Sequence, residues 1–114
     1  MDRQRKLTRK HLYYYPKVID RDSGQMLGHI ADITTEGIRL VSKNDVEPDS
    51  ILNLEIILAE NTEDETRITA KAKSLWSDKD INPELYAVGF RFLDISSEER
   101  TKIDELISLY SFQR

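Results

Sequence analysis

Two short patterns carry residue types able to grip a ligand. Arg5 and Arg9 stand four apart in the basic stretch RKLTRKHLYYY. Each guanidinium presents a planar fork of donors that matches two acceptors at once, on phosphate oxygens or on the Hoogsteen edge of guanine. The second pattern is DITTEG, residues 32–37. Ionised Asp32 only accepts hydrogen bonds and suits the ring N–H and amino group of guanine, Thr34 offers a hydroxyl, and Gly37 permits either a positive φ or a close backbone approach. Both patterns have plain alternatives: paired arginines are common in basic stretches, and a tight β-turn with glycine chosen for its backbone accounts for DITTEG taken alone. Tyr13, Tyr14 and Tyr15 alternate sides if extended, so at least one ring faces water, to stack on a base or to cover the arm.

Little else in the chain offers chemistry. His11 and His29 have no second histidine or cysteine at metal-ligand spacing, and G-x-S-x-G, P-loop and H-E-x-x-H patterns are missing. DRDSG, residues 20–24, begins like a calcium loop but lacks the later ligands, and reads as a hairpin turn; ENTEDE, residues 60–65, reads as a solvated loop. No catalytic residue, metal or cofactor is expected, so the chain reads as a binding module and not an enzyme. With no cysteine, disulfides and thiolate metal sites are excluded, and the cytoplasm is the simplest location.

The charge distribution narrows the partner. Arg3, Arg5, Lys6, Arg9, Lys10 and Lys17 face only Asp2 in the first seventeen residues, yet the whole chain carries a net charge of −4. A protein that coats DNA or RNA neutralises many phosphates with a broad basic surface; a basic arm on an acidic body fits a small anionic ligand instead. Apolar runs such as IIL, residues 56–58, are too short to span a bilayer, and no apolar segment follows the basic N-terminus, so neither membrane insertion nor a signal peptide is expected.

The elements that must position these residues are mostly strands. The length of 114 residues suits one compact domain. Short alternating or β-branched runs separated by turn clusters predict six strands: LYYYPKVID, QMLGHIADI, IRLVS, ILNLEIILA, TRITAKAKSLW and LYAVGFRFL. In the fourth, Leu52, Leu54, Ile56 and Leu58 share a face. In the fifth, Ile68, Ala70, Ala72 and Trp76 oppose Arg67, Thr69, Lys71 and Lys73, which reads Trp76 as core. In the sixth, Tyr86, Val88, Phe90 and Phe92 oppose Ala87, Gly89 and Arg91. SSEERTKIDELISLY then changes to helical period, with a capping box from Ser96 to Glu99 and an apolar stripe of Ile103, Leu106, Ile107 and Tyr110. Six closely spaced antiparallel strands are stabilised by closing into a barrel, which removes exposed edges. The expected architecture is all-β: a flexible basic arm over residues 1–11, then a six-stranded antiparallel barrel with a C-terminal helix over residues 12–114.

In this order, the patterns resemble the PilZ domain family of bacterial cyclic di-GMP receptors. Its RxxxR motif is matched by Arg5 and Arg9, and its D/N-x-S-x-x-G motif by Asp32, Thr34 and Gly37; the tail SLWSDKDINPELYAVGFRFLDISSEERTKIDELI is similar to the family's usual ending. The resemblance covers essentially the whole chain and implies the same barrel and helix. It implies also that the arginines grip guanine and phosphate while Asp32 and Thr34 hold a guanine against the barrel. Threonine stands where the family usually has serine; it keeps a hydroxyl whose hydrogen bond contributes about 0.5 to 1.5 kcal/mol. The implied function is a stand-alone cyclic di-GMP receptor whose arm orders over the ligand and alters the surface offered to a protein effector, as a monomer or homodimer without DNA or RNA. The alternative is a PilZ-like adaptor that acts through protein contacts without nucleotide.

Overall fold

The computed structural model describes residues 16–113, with side chains to residue 108. The arm, Arg5, Arg9 and the three tyrosines lie outside these residues. Six strands follow one another: β1 (Lys17–Asp20), β2 (Met26–Ile33), β3 (Gly37–Ser42), β4 (Ile51–Leu58), β5 (Thr66–Lys79) and β6 (Tyr86–Leu93), then a helix, α1 (Ser97–Gln113). They pair antiparallel in the order β1-β2-β3-β6-β5-β4, and β1 meets β4 to close the barrel.

Alternation fills the interior. Val18, Ile30, Leu40, Leu54, Ile56, Ile68, Ala72, Val88 and Phe90 are buried in one cluster, joined by Ile103 and Leu106 from α1. Burying each large aliphatic side chain stabilises the fold by roughly 1.5 to 3 kcal/mol. Leu52, Leu58 and Tyr86 are half-buried against the same cluster, as their strand faces require. The helix begins as its sequence demands, with the Glu99 N–H donating to Ser96 Oγ at 3.1 Å. The Glu99 carboxylate accepts the Thr69 N–H of β5 at 3.0 Å. At that point β6 no longer flanks β5, whose pairing with it starts at Lys71, so Glu99 satisfies an edge donor and ties α1 to the barrel.

Two expectations from local sequence are corrected. β5 does not end at Trp76 but continues to Lys79, because pairing with β6 runs on to Lys79↔Tyr86 and outweighs the turn preference of Ser77 and Asp78. Trp76 is not core: it is 38% exposed. A β-bulge between Ser74 and Trp76 inserts Leu75 and shifts the register from Ser74↔Phe90 to Trp76↔Gly89, so Ser74 takes the inward position and Trp76 turns outward.

The turns agree with their sequences. In DRDSG, Asp20 accepts from the Asp22 N–H and the Ser23 hydroxyl, and Gly24 takes φ 78°. In the β4–β5 loop, Glu65 accepts from the Asn61 N–H at 2.9 Å and from Arg67 Nε at 2.7 Å. The Asn61 N–H first, then Arg67, holds the Glu65 carboxyl below its usual range, and Glu65 in turn raises Arg67. A depressed folded pKa stabilises above the unfolded carboxylate pKa of about 4.3 and loses that contribution as pH falls through the lower folded value. Glu65→Gln should therefore lower the thermal midpoint slightly at neutral pH, as expected of an exposed pair. The difference from the parent should close as melts are recorded towards about pH 3; a gap unchanged at that pH would contradict this account.

Candidate functional site

Asp32 sits at the end of β2, and a bulge decides where it points. The β2–β3 register shifts between Ile30↔Leu40 and Asp32↔Arg39, with Ala31 inserted. Strict alternation from buried Ile30 would have aimed Asp32 inward and Ile33 outward; with the insertion Ile33 is buried and Asp32 is paired with exposed Arg39. Asp32 also accepts the Ile33 N–H at 3.0 Å.

The turn that follows is built by Thr34. Its hydroxyl oxygen accepts from the N–H groups of Glu36 at 3.1 Å and Gly37 at 3.3 Å, and its own N–H donates to the Gly37 carbonyl at 2.9 Å. Thr34 Oγ1 itself lies 3.5 Å from the same carbonyl oxygen, a long donor contact that a ligand acceptor would readily replace. Gly37 serves close approach and not a positive φ: a Cβ there would lie 2.1 Å from the Phe90 carbonyl oxygen. DITTEG is thus a glycine-dependent tight turn at one barrel end, with Asp32 just before it and Thr34 within it.

A row of outward positions continues from this turn across four strands: Asp32 pairs with Arg39, Arg39 with Gly89, and Gly89 with Trp76. The Trp76 ring lies over Gly89, where a Cβ would meet its Cε2 and Nε1 at 2.5 Å. A large ring thereby covers a strand glycine and keeps a π-face available at the surface. Arg91, in the adjoining row opposite Gly37, is exposed, and neither it nor Arg39 has an ion-pair partner among the described residues. Arg39, Arg91 and Trp76 escape motif reasoning. Two signals mark the bulges: Ile30 and Ile33 are three apart in a strand of period two, and Ser74 precedes an aromatic that alternation would bury.

Pro16, the first described residue, joins β2 beside this face. The Pro16 carbonyl accepts the Ile30 N–H at 2.9 Å, two residues before Asp32. Arg5 and Arg9 themselves lie outside the described residues. Among the described residues no cluster of histidine, cysteine, aspartate and glutamate could hold a metal, and no helix is long and apolar enough to cross a membrane.

The model of the PilZ domain family matches residues 3–109. The chain belongs to the PilZ domain family. PilZ domains are binding domains, cyclic di-GMP receptors or related adaptors, and not enzymes. Among solved structures, the Bacillus subtilis inhibitor of motility (MotI/DgrA) has a similar fold, with a TM-score of 0.63 at 14% identity over 88% of this chain and 47% of that one. This PilZ chain therefore spans about half of that structure's length. No curated protein sequence matches this one.

Proposed function

We propose that this PilZ domain is a receptor for cyclic di-GMP, held between the barrel face and the N-terminal arm. The observation that carries the reading is the entry of the arm at Pro16, beside the strand end that presents Asp32 and Thr34. Arg9 is seven residues from Pro16, a span of at most about 25 Å when extended, so its guanidinium reaches the turn. Arg5 reaches still further.

Each group then has a distinct task. Asp32 accepts from the ring N–H and amino group of one guanine, and the Thr34 hydroxyl adds a hydrogen bond. Arg5 and Arg9 fork onto phosphate oxygens and a guanine edge. Trp76 offers its face to a base, and Arg39 and Arg91 lower the cost of bringing phosphates onto an acidic protein. Ordering the arm costs roughly 1 to 2 kcal/mol per residue fixed, so only a ligand that bridges arm and barrel keeps it in place. The bound arm changes the surface offered to a protein effector, which is the signal.

Isothermal titration with cyclic di-GMP, with GTP as control, tests this reading. Selective binding is expected. Arg5→Ala and Arg9→Ala should each weaken it by about tenfold to a hundredfold, as for lost charge-assisted hydrogen bonds, and Trp76→Ala by about tenfold through lost stacking. Residues 1–11 should also resist trypsin in saturating ligand. Absence of binding to the intact chain would leave the PilZ-like adaptor as the account, and undiminished binding by both arginine variants would remove the arm from the site.

A further inference from the structure

Two outer features lie beyond the nucleotide face and complement one another. The first is the tip of the β5–β6 hairpin. It is held in shape by Asp80 N–H to Leu85 O at 2.9 Å, Leu85 N–H to Asn82 O at 2.9 Å, and Glu84 N–H to Asn82 Oδ1 at 3.1 Å. On this hydrogen-bonded loop Ile81 is 99% exposed, and Asp78, Asp80 and Glu84 lie within three residues of it in the chain, with Lys79 as the cation among them. The second is an apolar and basic patch on β4 and β5. Ile51 is 60% and Leu75 48% exposed; Ile51 pairs with Lys73, two residues before Leu75. Lys71 follows along the strand without an ion-pair partner among the described residues. Among the described residues Lys73 reaches only Asp49, at 3.6 Å, whose side chain is 80% exposed, a pair that water and salt screen readily.

We propose that the hairpin tip of one copy docks on the Ile51–Leu75 patch of a second copy. Ile81 enters between the two apolar side chains, and Asp80 and Glu84 face Lys73 and Lys71. Charge complementarity favours the second copy as occupant: an acidic loop with an apolar point meets an apolar seat flanked on β5 by Lys71 and Lys73. Leu75 and Ile81 belong to one hairpin, roughly 20 Å apart along it at strand rise, and Ile51 is supplied by the neighbouring strand β4. Two hairpins laid antiparallel about a two-fold axis make both contacts at once, which closes an isologous dimer. The pre-shaped tip loses little conformational freedom on docking. The contact falls below about 1,200 Å², the range of transient association, so the dimer is weak and sensitive to salt.

Sedimentation velocity of the full chain without nucleotide, over a concentration series into the millimolar range at low and high salt, tests the proposal. Expected are a dimer at low salt that dissociates at high salt, and a loss of about tenfold or more in association, 1.4 kcal/mol, for Ile81→Asp and for Lys73→Glu. Glu84→Lys should restore association to Lys73→Glu, which a misfolded variant would not allow. A chain that stays monomeric throughout overturns the proposal. So does a dimer indifferent to both substitutions, or a monomer that binds phosphatidylglycerol vesicles through Lys73. Since no nucleotide is present, the outcome is independent of whether cyclic di-GMP binds.

Discussion

Gly37→Ala is expected to destabilise the domain by about 3 kcal/mol and to lower its thermal midpoint by roughly 15 °C. The added Cβ would lie 2.1 Å from the Phe90 carbonyl oxygen and 3.1 Å from its carbon. Those atoms belong to the backbone of β6, so no side-chain rotation relieves the overlap. Gly37 pairs with Arg91, and one residue away the Phe92 N–H donates to the Glu36 carbonyl at 2.8 Å; moving β3 away from β6 breaks both. The same shift distorts the turn in which Thr34 Oγ1 accepts two N–H groups. Circular-dichroism melts of the purified variant measure the effect. A midpoint within a few degrees of the parent would mean that the strand pair yields locally, and that glycine is retained for the ligand and not for the barrel.

The second large effect is expected at Ser74. This side chain is 0% exposed, and its hydroxyl accepts the Ser50 N–H at 2.9 Å while donating to the Glu47 carbonyl at 2.6 Å. Further backbone bonds join the same loop to β5, from Asp49 N–H to Ser74 O at 2.7 Å and from Ser74 N–H to Ser50 O at 2.8 Å. Ser74→Ala leaves the part-buried Ser50 N–H without its partner, while the Glu47 carbonyl keeps the Ser50 hydroxyl at 2.8 Å, at a cost of about 1 to 3 kcal/mol. Amide hydrogen exchange should report faster opening around Ser50, and denaturant unfolding should report the loss in stability. Ser74→Cys, which keeps a weak donor and acceptor of similar shape, should fall between parent and alanine. An alanine variant as stable as the parent would indicate that water takes over the hydrogen bond to the Ser50 N–H.

Strand periodicity and the helical stripe were enough to anticipate six strands, a closed barrel and the C-terminal helix, because both patterns are local consequences of which residues must leave water. Alternation placed Leu54, Ile56, Ile68, Val88 and Phe90 inside, and there they lie. The turn between β2 and β3 that holds Thr34 and Gly37 was likewise legible, since a glycine-bearing turn between two strands leaves a local trace. Arg5 and Arg9 were legible as chemistry, and their positions lie outside the described residues.

Tertiary structure decided which way Asp32 and Trp76 face. Each follows a single inserted residue, Ala31 in β2 and Leu75 in β5, and each insertion reverses the side chains beyond it. A bulge is a property of two strands in register and not of either strand alone. Local alternation therefore assigned Trp76 to the core, while pairing with β6 laid it over Gly89 on the outer face. The same pairing brought Asp32, Arg39, Gly89 and Trp76, distant in the chain, into one row across four strands. Sequence thus determined the residues and the barrel that carries them, whereas strand register, which depends on contacts between distant segments, determined the face on which they meet.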